Sequence, residues 1–291
     1  MRKIFIKELI ELNIKKKNIY LIINDLGFNV IEPFQNKFPK RCFNAGVSEQ
    51  SMMGLSAGIA SEKNHTFVYS IANFTTFRCA EQIRNDVDYH KLPVTIVSVG
   101  SGVGYGNLGY SHHALQDYAL MRSFPNMLIL SPGNHEELKS SLKFIVNNPQ
   151  PSYLRLDKDE ISFSETKKNF MIDPGKPIKL LDGSKKNAIF VTGKMQEVAF
   201  NLVKKKYKGY SIYSLPIWGM KTKKKFFYEI NKFSNIVTVE DHFNDGGFGS
   251  WVSEILVAYK NNINLKTEYI LTDSIYEVGS KNYLLKKYGP K

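Results

Sequence analysis

The stretch from Thr66 to Gly100, TFVYSIANFTTFRCAEQIRNDVDYHKLPVTIVSVG, decides the fold. It begins with the apolar, β-rich segment Thr66–Ile71 and ends with a second one, Val94–Val99. Between them, the pattern of Phe77–Tyr89 is helical. A strand, a helix and another strand in this order predict part of a mainly parallel sheet that is flanked by helices.

The same alternation continues in both directions along the chain. In the first half, the pattern predicts further strands at Ile19–Asn24, Met127–Leu130 and Ser152–Leu156. It predicts further helices at Ser48–Ser61, Leu115–Arg122 and His135–Val146. In the second half, it predicts strands at Ala188–Thr192, Tyr210–Leu215, Ile236–Glu240 and Thr267–Leu271. It predicts helices there at Met195–Lys206, Lys223–Phe233 and Phe248–Tyr259.

The segment between these halves loses periodicity and contains proline and glycine, which is typical of a linker. We therefore predict an α/β protein with two domains, each a mainly parallel or mixed sheet flanked by helices. The first domain is expected at residues 1–160, the linker at 161–186 and the second domain at 187–291.

The charge of the chain indicates an anionic ligand but not nucleic acid. Forty basic and 27 acidic side chains give the 291 residues a formal net charge of +13. Only six of the 40 are arginines, which nucleic-acid binders favour for phosphate and base contacts. The lysine runs are typical of solvated faces. Because all six arginines lie in the first 155 residues, we expect an anion site in the first half.

Compartment and membrane association can also be predicted. Two cysteines, Cys42 and Cys79, cannot form a disulfide framework. Charges at Lys7, Glu8 and Glu11 interrupt the apolar run that a signal peptide needs. No apolar run reaches the ~18 residues that cross a bilayer. We therefore expect a cytoplasmic protein with no membrane partner.

Glu49 is the first candidate for chemistry. It lies in GVSEQ, residues 46–50, directly before a helix of small residues from Ser51 to Ala60. A carboxylate is favoured in the first turn of a helix by the helix dipole and can act there as a cap alone. The low charge of this helix indicates burial, and a buried carboxylate is a functional candidate. The small residues of this helix also let another backbone come close.

Aromatic and histidine residues follow two of the predicted strands. Phe74 and Phe77 lie where open α/β sheets bind ligands, so they either stack on a flat heterocycle or belong to the core. A glycine-rich stretch at residues 100–109 leads into His112 and His113, which we expect to face a ligand. No cluster of Cys, His and Asp has metal-ligand spacing, so no metal site is predicted on this chain.

Two later patterns are possible anion sites. Arg155 and Lys158, at the end of the first predicted domain, carry cationic groups that can hold a phosphate. The sequence VEDH, at 239–242, precedes the glycines of GGFGS, at 246–250, where a helix begins. These glycines allow either anion binding at the helix N-terminus or close packing of the helix on a strand.

Taken in order, these patterns resemble the C-terminal half of transketolase, which is a pyrimidine-binding domain followed by the transketolase C-terminal domain. The resemblance extends from about Ile19 to the end of the chain. The matching blocks are NDLG at 24–27, GVSEQSMMGLSAGIA at 46–60, SIANFTTFRCAEQIRND at 70–86, GYSHHALQDYALMRSFPNMLILSPGNHEE at 109–137, and VEDH with GGFGS.

The resemblance implies thiamine diphosphate as cofactor. Glu49 matches the glutamate that hydrogen-bonds the pyrimidine ring nitrogen and so activates the cofactor. Phe74 and Phe77 match aromatics that pack on the aminopyrimidine. His112 matches the histidine near the reacting sugar, which makes Glu49 and His112 the expected catalytic residues. The resemblance further implies cofactor contacts from Asp25 and Ile71 and substrate contacts from Asn29, His113, Arg155 and Lys158.

A missing motif implies a partner. The family binds the diphosphate and Mg²⁺ through a Gly-Asp-Gly motif in its N-terminal domain, and no Gly-Asp-Gly occurs in this chain. The resemblance therefore implies a split transketolase, in which an N-terminal subunit supplies the diphosphate and Mg²⁺ site. We expect an α2β2 heterotetramer that transfers a two-carbon ketol unit between sugars or sugar phosphates. The small-residue helix from Ser51 to Ala60 is a candidate for its close-packed subunit interface.

Departures from the family pattern leave other functions open. A histidine of typical transketolases falls at Gly100, an aspartate that recognises a sugar hydroxyl falls at Leu108, and a phosphate-binding arginine aligns with Lys158. An unusual sugar substrate fits these changes. The β subunit of a 2-oxo acid dehydrogenase and a deoxyxylulose phosphate synthase share the same two-domain plan. A non-catalytic basic binding or scaffold protein is the alternative from another class.

Overall fold

The segment from Thr66 to Gly100 folds around two central parallel strands, as the sequence predicts. In the computed structural model, which describes residues 1–158 and 170–291, Val68 lies opposite Ile96 in the register of the two strands. Nearly every residue of both strands is buried. Burial on both faces is typical of the central strands of a parallel sheet that is covered by helices.

Twelve strands form two sheets in the described part of the chain. They are β1 Ile19–Ile23, β2 Cys42–Asn44, β3 His65–Ile71, β4 Val94–Val99, β5 Leu128–Leu130, β6 Ser152–Leu156, β7 Ile178–Leu181, β8 Asn187–Val191, β9 Ser211–Ser214, β10 Ile217–Gly219, β11 Asn235–Val239 and β12 Asn264–Glu268. The first sheet has the order β10-β5-β6-β4-β3-β1-β2 and the second β12-β11-β8-β9-β7. Neighbouring strands are parallel except for the pairs β10–β5 and β7–β9.

Helices cover both sheets, which confirms the predicted α/β class. The α-helices lie at Arg2–Lys16, Glu32–Lys37, Glu49–Ser61, Ala72–Thr76, Ala80–Gln82, Asp117–Met121, His135–Asn147, Gln196–Lys205, Lys223–Ile230, Phe248–Ala258 and Lys281–Tyr288. The predicted helix Phe77–Tyr89 is irregular. It is divided into a 3₁₀ turn at Phe77–Cys79, the short helix at Ala80–Gln82 and a π-helical segment at Ile83–Asp88.

The structure corrects the predicted linker. Strand β7 lies inside the segment 161–186 and pairs antiparallel with β9, so the second sheet already includes residues before 187. Residues 161–169 of the predicted linker lie outside the described part of the chain. Strand β7 has only four residues, is only partly buried and lies at the edge of the second sheet, so its sequence is too short to show a period. The sequence pattern was therefore too weak to reveal it.

The two halves share one strand and one apolar cluster. Strand β10 follows β9 along the chain but pairs with β5 in the first sheet, with Trp218 opposite Ile129. The Trp218 ring lies 5.1 Å from that of Tyr118 and 5.3 Å from that of Trp251, measured between centroids. Residues of the second predicted domain therefore pack directly against residues of the first.

The parallel strands place several loops at one edge of the first sheet. Strands β1, β2, β3, β4 and β6 all run in the same direction. The segments that follow their carboxyl ends start near Asn24, Ala45, Ala72, Gly100 and Asp157. Open α/β sheets bind ligands at this edge.

A buried histidine makes the fold sensitive to acid. His65, the first residue of β3, is 2% exposed, and burial lowers its pKa to about 3. An unfolded histidine binds a proton below about pH 6.5, so the unfolded state holds more protons than the folded state between these two values. The free energy of unfolding therefore falls as the pH falls through this window.

We expect His65→Phe to remove this part of the acid sensitivity. Between about pH 7 and about pH 4.5, the variant should lose roughly 2–3 kcal/mol less stability than the parent chain in urea denaturation. Thr95, which hydrogen-bonds His65 at 2.8 Å, keeps its bond to Ser152 in the variant. Phe67→Leu is the control, because it weakens packing beside His65 without removing a titrating group. Equal pH dependence in the parent and His65→Phe would contradict the prediction.

Candidate active site

Glu49 begins a helix at the carboxyl edge of the first sheet. The loop before it is fixed by a hydrogen bond from Asn24 Nδ2 to Gly46 O at 2.6 Å and by the left-handed backbone of Gly46, with φ of 69°. Glu49 is the first residue of the helix Glu49–Ser61 and is 6% exposed. A nearly buried carboxylate is therefore present where the sequence predicts it.

Arg78 and Phe74 complete the surroundings of this carboxylate. Arg78 Nη1 donates to Glu49 Oε1 at 2.7 Å, and the Arg78 guanidinium carbon lies 4.0 Å from the centre of the Phe74 ring. An open pocket of ≈ 460 Å³ is lined by Ser48, Glu49, Gln50, Ser51 and Arg78. The pocket combines an acidic group with a neighbouring aromatic face.

His112 lies on the other side of Phe74. The two rings meet edge to face with centroids 5.2 Å apart. His112 Nδ1 is 2.9 Å from the Ser111 hydroxyl oxygen, so the hydroxyl contacts this ring nitrogen and not Nε2. Burial, aided by the positive charge of Arg78, lowers the pKa of His112. The imidazole is therefore neutral at neutral pH and can both donate and accept a proton.

Asn73 fixes the loop that carries His112. Its Nδ2 donates to Ser111 O at 3.1 Å and to His113 O at 2.9 Å, with a longer contact of 3.5 Å to Tyr110 O. Asn73 belongs to the helix that follows β3, so this side chain connects the Phe74 segment to the histidine loop. No role for Asn73 was predicted from the sequence, because hydrogen bonds to distant carbonyls leave no local pattern.

We expect Asn73→Ala to loosen the histidine loop. Loss of two hydrogen bonds of about 1 kcal/mol each should accelerate amide hydrogen exchange at residues 110–113 by roughly tenfold or more. Mass spectrometry of peptic fragments measures this exchange. Asn148→Ala, which removes an exposed side-chain bond to Phe144 O, is the control and should leave the loop unchanged. Unchanged exchange at residues 110–113 in Asn73→Ala would disprove the anchoring role.

Tyr105 and Lys158 extend the site beyond His112. The Tyr105 ring centre is 6.2 Å from that of His112, and Lys158 Nζ lies 5.1 Å from the Tyr105 ring centre. A Cβ atom on Gly100 would be 2.2 Å from the Tyr105 ring, so Tyr105 fills the space beside Gly100. Arg2 Nε donates to Lys158 O at 3.3 Å and brings a second cation to this region, which the sequence pattern did not reveal.

Other expected site residues lie around this edge with different exposures. Phe77 is 47% exposed, whereas Ile71 is partly buried at the end of β3. Asp25 is exposed and exchanges hydrogen bonds with Asn44. Asn29 is exposed in the following turn, where its backbone N–H donates to Glu32. The expected contacts of these residues with cofactor or substrate stay predictions.

His113 does not face the same space as His112. It is fully buried, and burial lowers its pKa. The expected direct contact of His113 with a substrate is therefore wrong for this arrangement. His112 ends the 3₁₀ turn Tyr110–His112, and the chain becomes extended at His113, so the side chain of His113 enters the core while that of His112 stays partly exposed.

Arg155 also differs from its expected role. It is 2% exposed, and its Nε donates to Asp117 Oδ2 at 2.6 Å while Nη1 is ion-paired with Asp241. Its Nη2 donates to Ala114 O at 2.7 Å. Arg155 thus connects β6 to the segment after β11 and offers no free face to a phosphate. Two carboxylates far away in sequence decide its role, and the local pattern could not reveal them.

The glycine segment at 246–250 has a structural explanation. The buried Glu240 carboxylate accepts hydrogen bonds from Phe248 N at 2.6 Å and Gly249 N at 2.7 Å, at the start of the helix Phe248–Ala258. Burial raises the pKa of Glu240 to about 8. A Cβ atom on Gly247 would be 2.2 Å from Glu240 Oε2. The Glu240 side chain therefore occupies the place at this helix N-terminus where an external anion would bind. The glycines allow Glu240 to come close to the main chain of the helix.

Metal-ligand clusters and membrane-spanning helices are absent from the described residues. In residues 1–158 and 170–291, no group of three or more His, Cys, Asp or Glu side chains has the arrangement of a metal site. Within the same ranges, no helix has the length and apolar character needed to cross a membrane.

Comparisons with known proteins show which family the chain is similar to. Residues 1–162 match the family described as transketolase, pyrimidine binding domain. A Methanocaldococcus jannaschii protein with the provisional name transketolase C-terminal section is 36% identical over 99% of this chain and 92% of that protein. A solved split-gene transketolase, described as an inactive β4 tetramer, is 27% identical with a TM-score of 0.84, covering 100% of this chain and 93% of that one.

More distant relatives have different reactions in their names. A subunit of the apulose-4-phosphate transketolase of Actinobacillus succinogenes is 28% identical over 89% of this chain and 84% of that subunit. The 1-deoxy-D-xylulose-5-phosphate synthase of Methylacidiphilum infernorum is 30% identical over 99% of this chain, which spans 46% of that enzyme.

The chain belongs to the transketolase family, in which thiamine diphosphate is the cofactor. Within that family, it corresponds to the C-terminal part of a split transketolase. The resemblance identified from the sequence blocks is thereby confirmed, as is the fold class. The similarity covers both sheets and not the pyrimidine-binding part alone.

Proposed function

We propose that this chain is the C-terminal subunit of a thiamine-diphosphate-dependent transketolase that transfers a two-carbon ketol unit between sugar or sugar phosphate substrates. The observation that carries the proposal is the nearly buried Glu49 carboxylate, set beside Phe74 and His112 at the carboxyl edge of a parallel sheet. Glu49 and His112 are the proposed catalytic residues.

The residues around the pocket fit the pyrimidine half of thiamine diphosphate. A pyrimidine ring needs a hydrogen-bonding group at one edge and an apolar face, and Glu49 and Phe74 offer both next to an open pocket of ≈ 460 Å³. When bound, the cofactor supplies a centre that stabilises the carbanion formed from a ketose. Ile71, Phe77 and Asp25 are proposed to border the cofactor.

Side chains of this subunit have three proposed roles. Glu49 shares a proton with a ring nitrogen and holds the ring in one orientation. Phe74 excludes water from the face of the ring. His112, neutral at neutral pH and positioned by Ser111 and the Asn73 bonds, moves a proton at a substrate oxygen.

The proposed partner is an N-terminal transketolase subunit that binds the diphosphate and Mg²⁺. The absence of Gly-Asp-Gly from the whole sequence supports this proposal, and the words "split gene" and "subunit" in the names of relatives fit it. The exposed side of the helix Glu49–Ser61 is proposed as part of the interface in an α2β2 heterotetramer. Gly54 and Gly58 on this helix have no atom within 4 Å of an added Cβ, so another backbone has room to approach.

Phosphorylated or otherwise anionic sugars are the proposed substrate class. Lys158 and Arg2 place positive charge beyond His112 and Tyr105, and Asn29 is proposed to contact the substrate from the loop after β1. Leu108 is 54% exposed at a position where the family has an aspartate. A cytoplasmic location is part of the proposal and is supported by two buried, unpaired cysteines.

Co-expression with a candidate N-terminal subunit that carries a Gly-Asp-Gly motif tests the proposal. Calorimetry should detect thiamine diphosphate and Mg²⁺ binding to the co-purified complex, and a coupled assay should detect aldose formation from a ketose donor. Consumption of pyruvate instead would favour the synthase or 2-oxo acid dehydrogenase reaction. Absence of cofactor binding to the complex would contradict every thiamine-dependent function and favour a non-catalytic binding protein.

A further inference from the structure

The side chain of Arg78 makes the two contacts that the cofactor ring is proposed to make. Its guanidinium group hydrogen-bonds the Glu49 carboxylate at 2.7 Å and lies over Phe74 with its central carbon 4.0 Å from the ring centre. A planar, delocalised group that bonds Glu49 and covers Phe74 matches a heteroaromatic ring in shape and in contacts.

The backbone of Arg78 is fixed although its side chain is half-exposed. Arg78 lies in the 3₁₀ turn Phe77–Cys79, directly before the fully buried Cys79. Cys79 Sγ donates to Thr75 O at 3.2 Å, which ties the turn to the preceding helix. The Arg78 side chain is 50% exposed, so it can leave the pocket without a change in the main chain.

Glu49 needs a partner whenever the pocket holds no cofactor. Its side chain is only 7% exposed, and a desolvated carboxylate without a counter-charge is unfavourable. Arg78 supplies that counter-charge in the free chain. A bound ring that shares a proton with Glu49 can replace it.

We propose that Arg78 occupies the pyrimidine position in the cofactor-free protein and is displaced when thiamine diphosphate binds. This inference rests on the proposed function. It makes Arg78 a competitor of the ring, which keeps the Glu49 carboxylate paired while the pocket holds no cofactor. The cofactor then binds by exchange with a side chain rather than by entering empty space.

Exchange predicts a direction for the effect of removing Arg78. A partly exposed ion pair and a cation–π contact are each weak, so their combined loss from the free state should improve cofactor affinity by roughly threefold to tenfold. Salt weakens the Arg78–Glu49 pair of the cofactor-free parent protein, so the cofactor displaces Arg78 more easily at high salt. Arg78→Ala has no such pair, so salt does not change its cofactor affinity in this way. The ratio of the two dissociation constants should therefore approach one as ionic strength rises.

The test measures thiamine diphosphate binding, with Mg²⁺ present, to cofactor-free complexes of the full chain with its N-terminal subunit. Calorimetry at two salt concentrations gives dissociation constants for the parent, Arg78→Ala and Arg78→Lys. Arg78→Lys keeps the charge without the planar group and should fall between the other two. Arg84→Ala is the matched control, because Arg84 is an exposed arginine of the same irregular helical segment that hydrogen-bonds the adjacent Asn85.

Tighter binding by Arg78→Ala at low salt, with an unchanged Arg84→Ala, would support the exchange. Equal or weaker binding by Arg78→Ala beside a parent that binds normally would overturn it, because Arg78 would then be a bystander or a cofactor ligand. Absence of binding in every sample, including the parent, would overturn the proposed function itself and this inference with it.

Discussion

Glu49→Gln is expected to lower the kcat of the assembled enzyme by about 10²- to 10⁴-fold. Glutamine has nearly the same size and can keep one hydrogen bond, but it cannot share a proton with the cofactor ring. The loss should therefore appear in turnover, while the fold and the oligomeric state remain unchanged. Steady-state assays with a ketose donor, together with circular dichroism and a thermal melt, measure these quantities.

A second glutamate at the other end of the same helix provides the control. Glu62 follows the helix Glu49–Ser61 and is exposed, so Glu62→Gln should retain parental activity. Turnover in Glu49→Gln within threefold of the parent would be incompatible with a catalytic role for this carboxylate. Loss of activity in both variants would indicate a general effect on the helix instead.

Arg155→Met is expected to destabilise the folded chain by about 3–5 kcal/mol, the usual cost of removing one partner from a buried ion pair. The variant leaves the buried Asp117 and Asp241 without their counter-charge. The expected loss is a large fraction of the roughly 5–15 kcal/mol that stabilises a folded protein. Urea denaturation of the purified chain measures the change in the free energy of unfolding.

A triple variant separates lost charge balance from lost packing. Combining Arg155→Met with Asp117→Asn and Asp241→Asn removes all three charges, and the stability should partly recover. Arg84→Met, at an exposed arginine, should change stability by less than about 0.5 kcal/mol. If Arg155→Met were as stable as Arg84→Met, the buried network would have no role in holding the two halves together.

The sequence predicts the centre of the first sheet well. Strands β4 and β6 coincide with the expected segments at both ends. Each begins directly after a proline, Pro93 or Pro151, and β4 is in addition a run of mostly β-branched residues. Asn134 caps the helix His135–Asn147 by accepting a hydrogen bond from Glu137 N at 3.0 Å, and asparagine is a preferred residue at this position. Such features depend on local chemistry, which a single sequence displays.

Elements that depend on distant partners were missed. Strand β10 has three residues and is stabilised by pairing with β5, far earlier in the chain, and by burial of Trp218. Arg155 has the local appearance of an anion-binding residue, yet its partner Asp241 lies 86 positions away. Arg78 lay within a recognised block, but only the folded chain brings its side chain back to Glu49.

Strand β10 also determines where this polypeptide can be divided. A fragment that ended after β6 would lose β10 and leave the main-chain N–H and C=O groups of β5 exposed at an open edge of the first sheet. Unpaired edges of this kind recruit strands from other molecules and promote aggregation. A fragment of this kind is therefore a poor candidate for separate expression. The first sheet is expected to avoid such an edge only when the chain continues through β10.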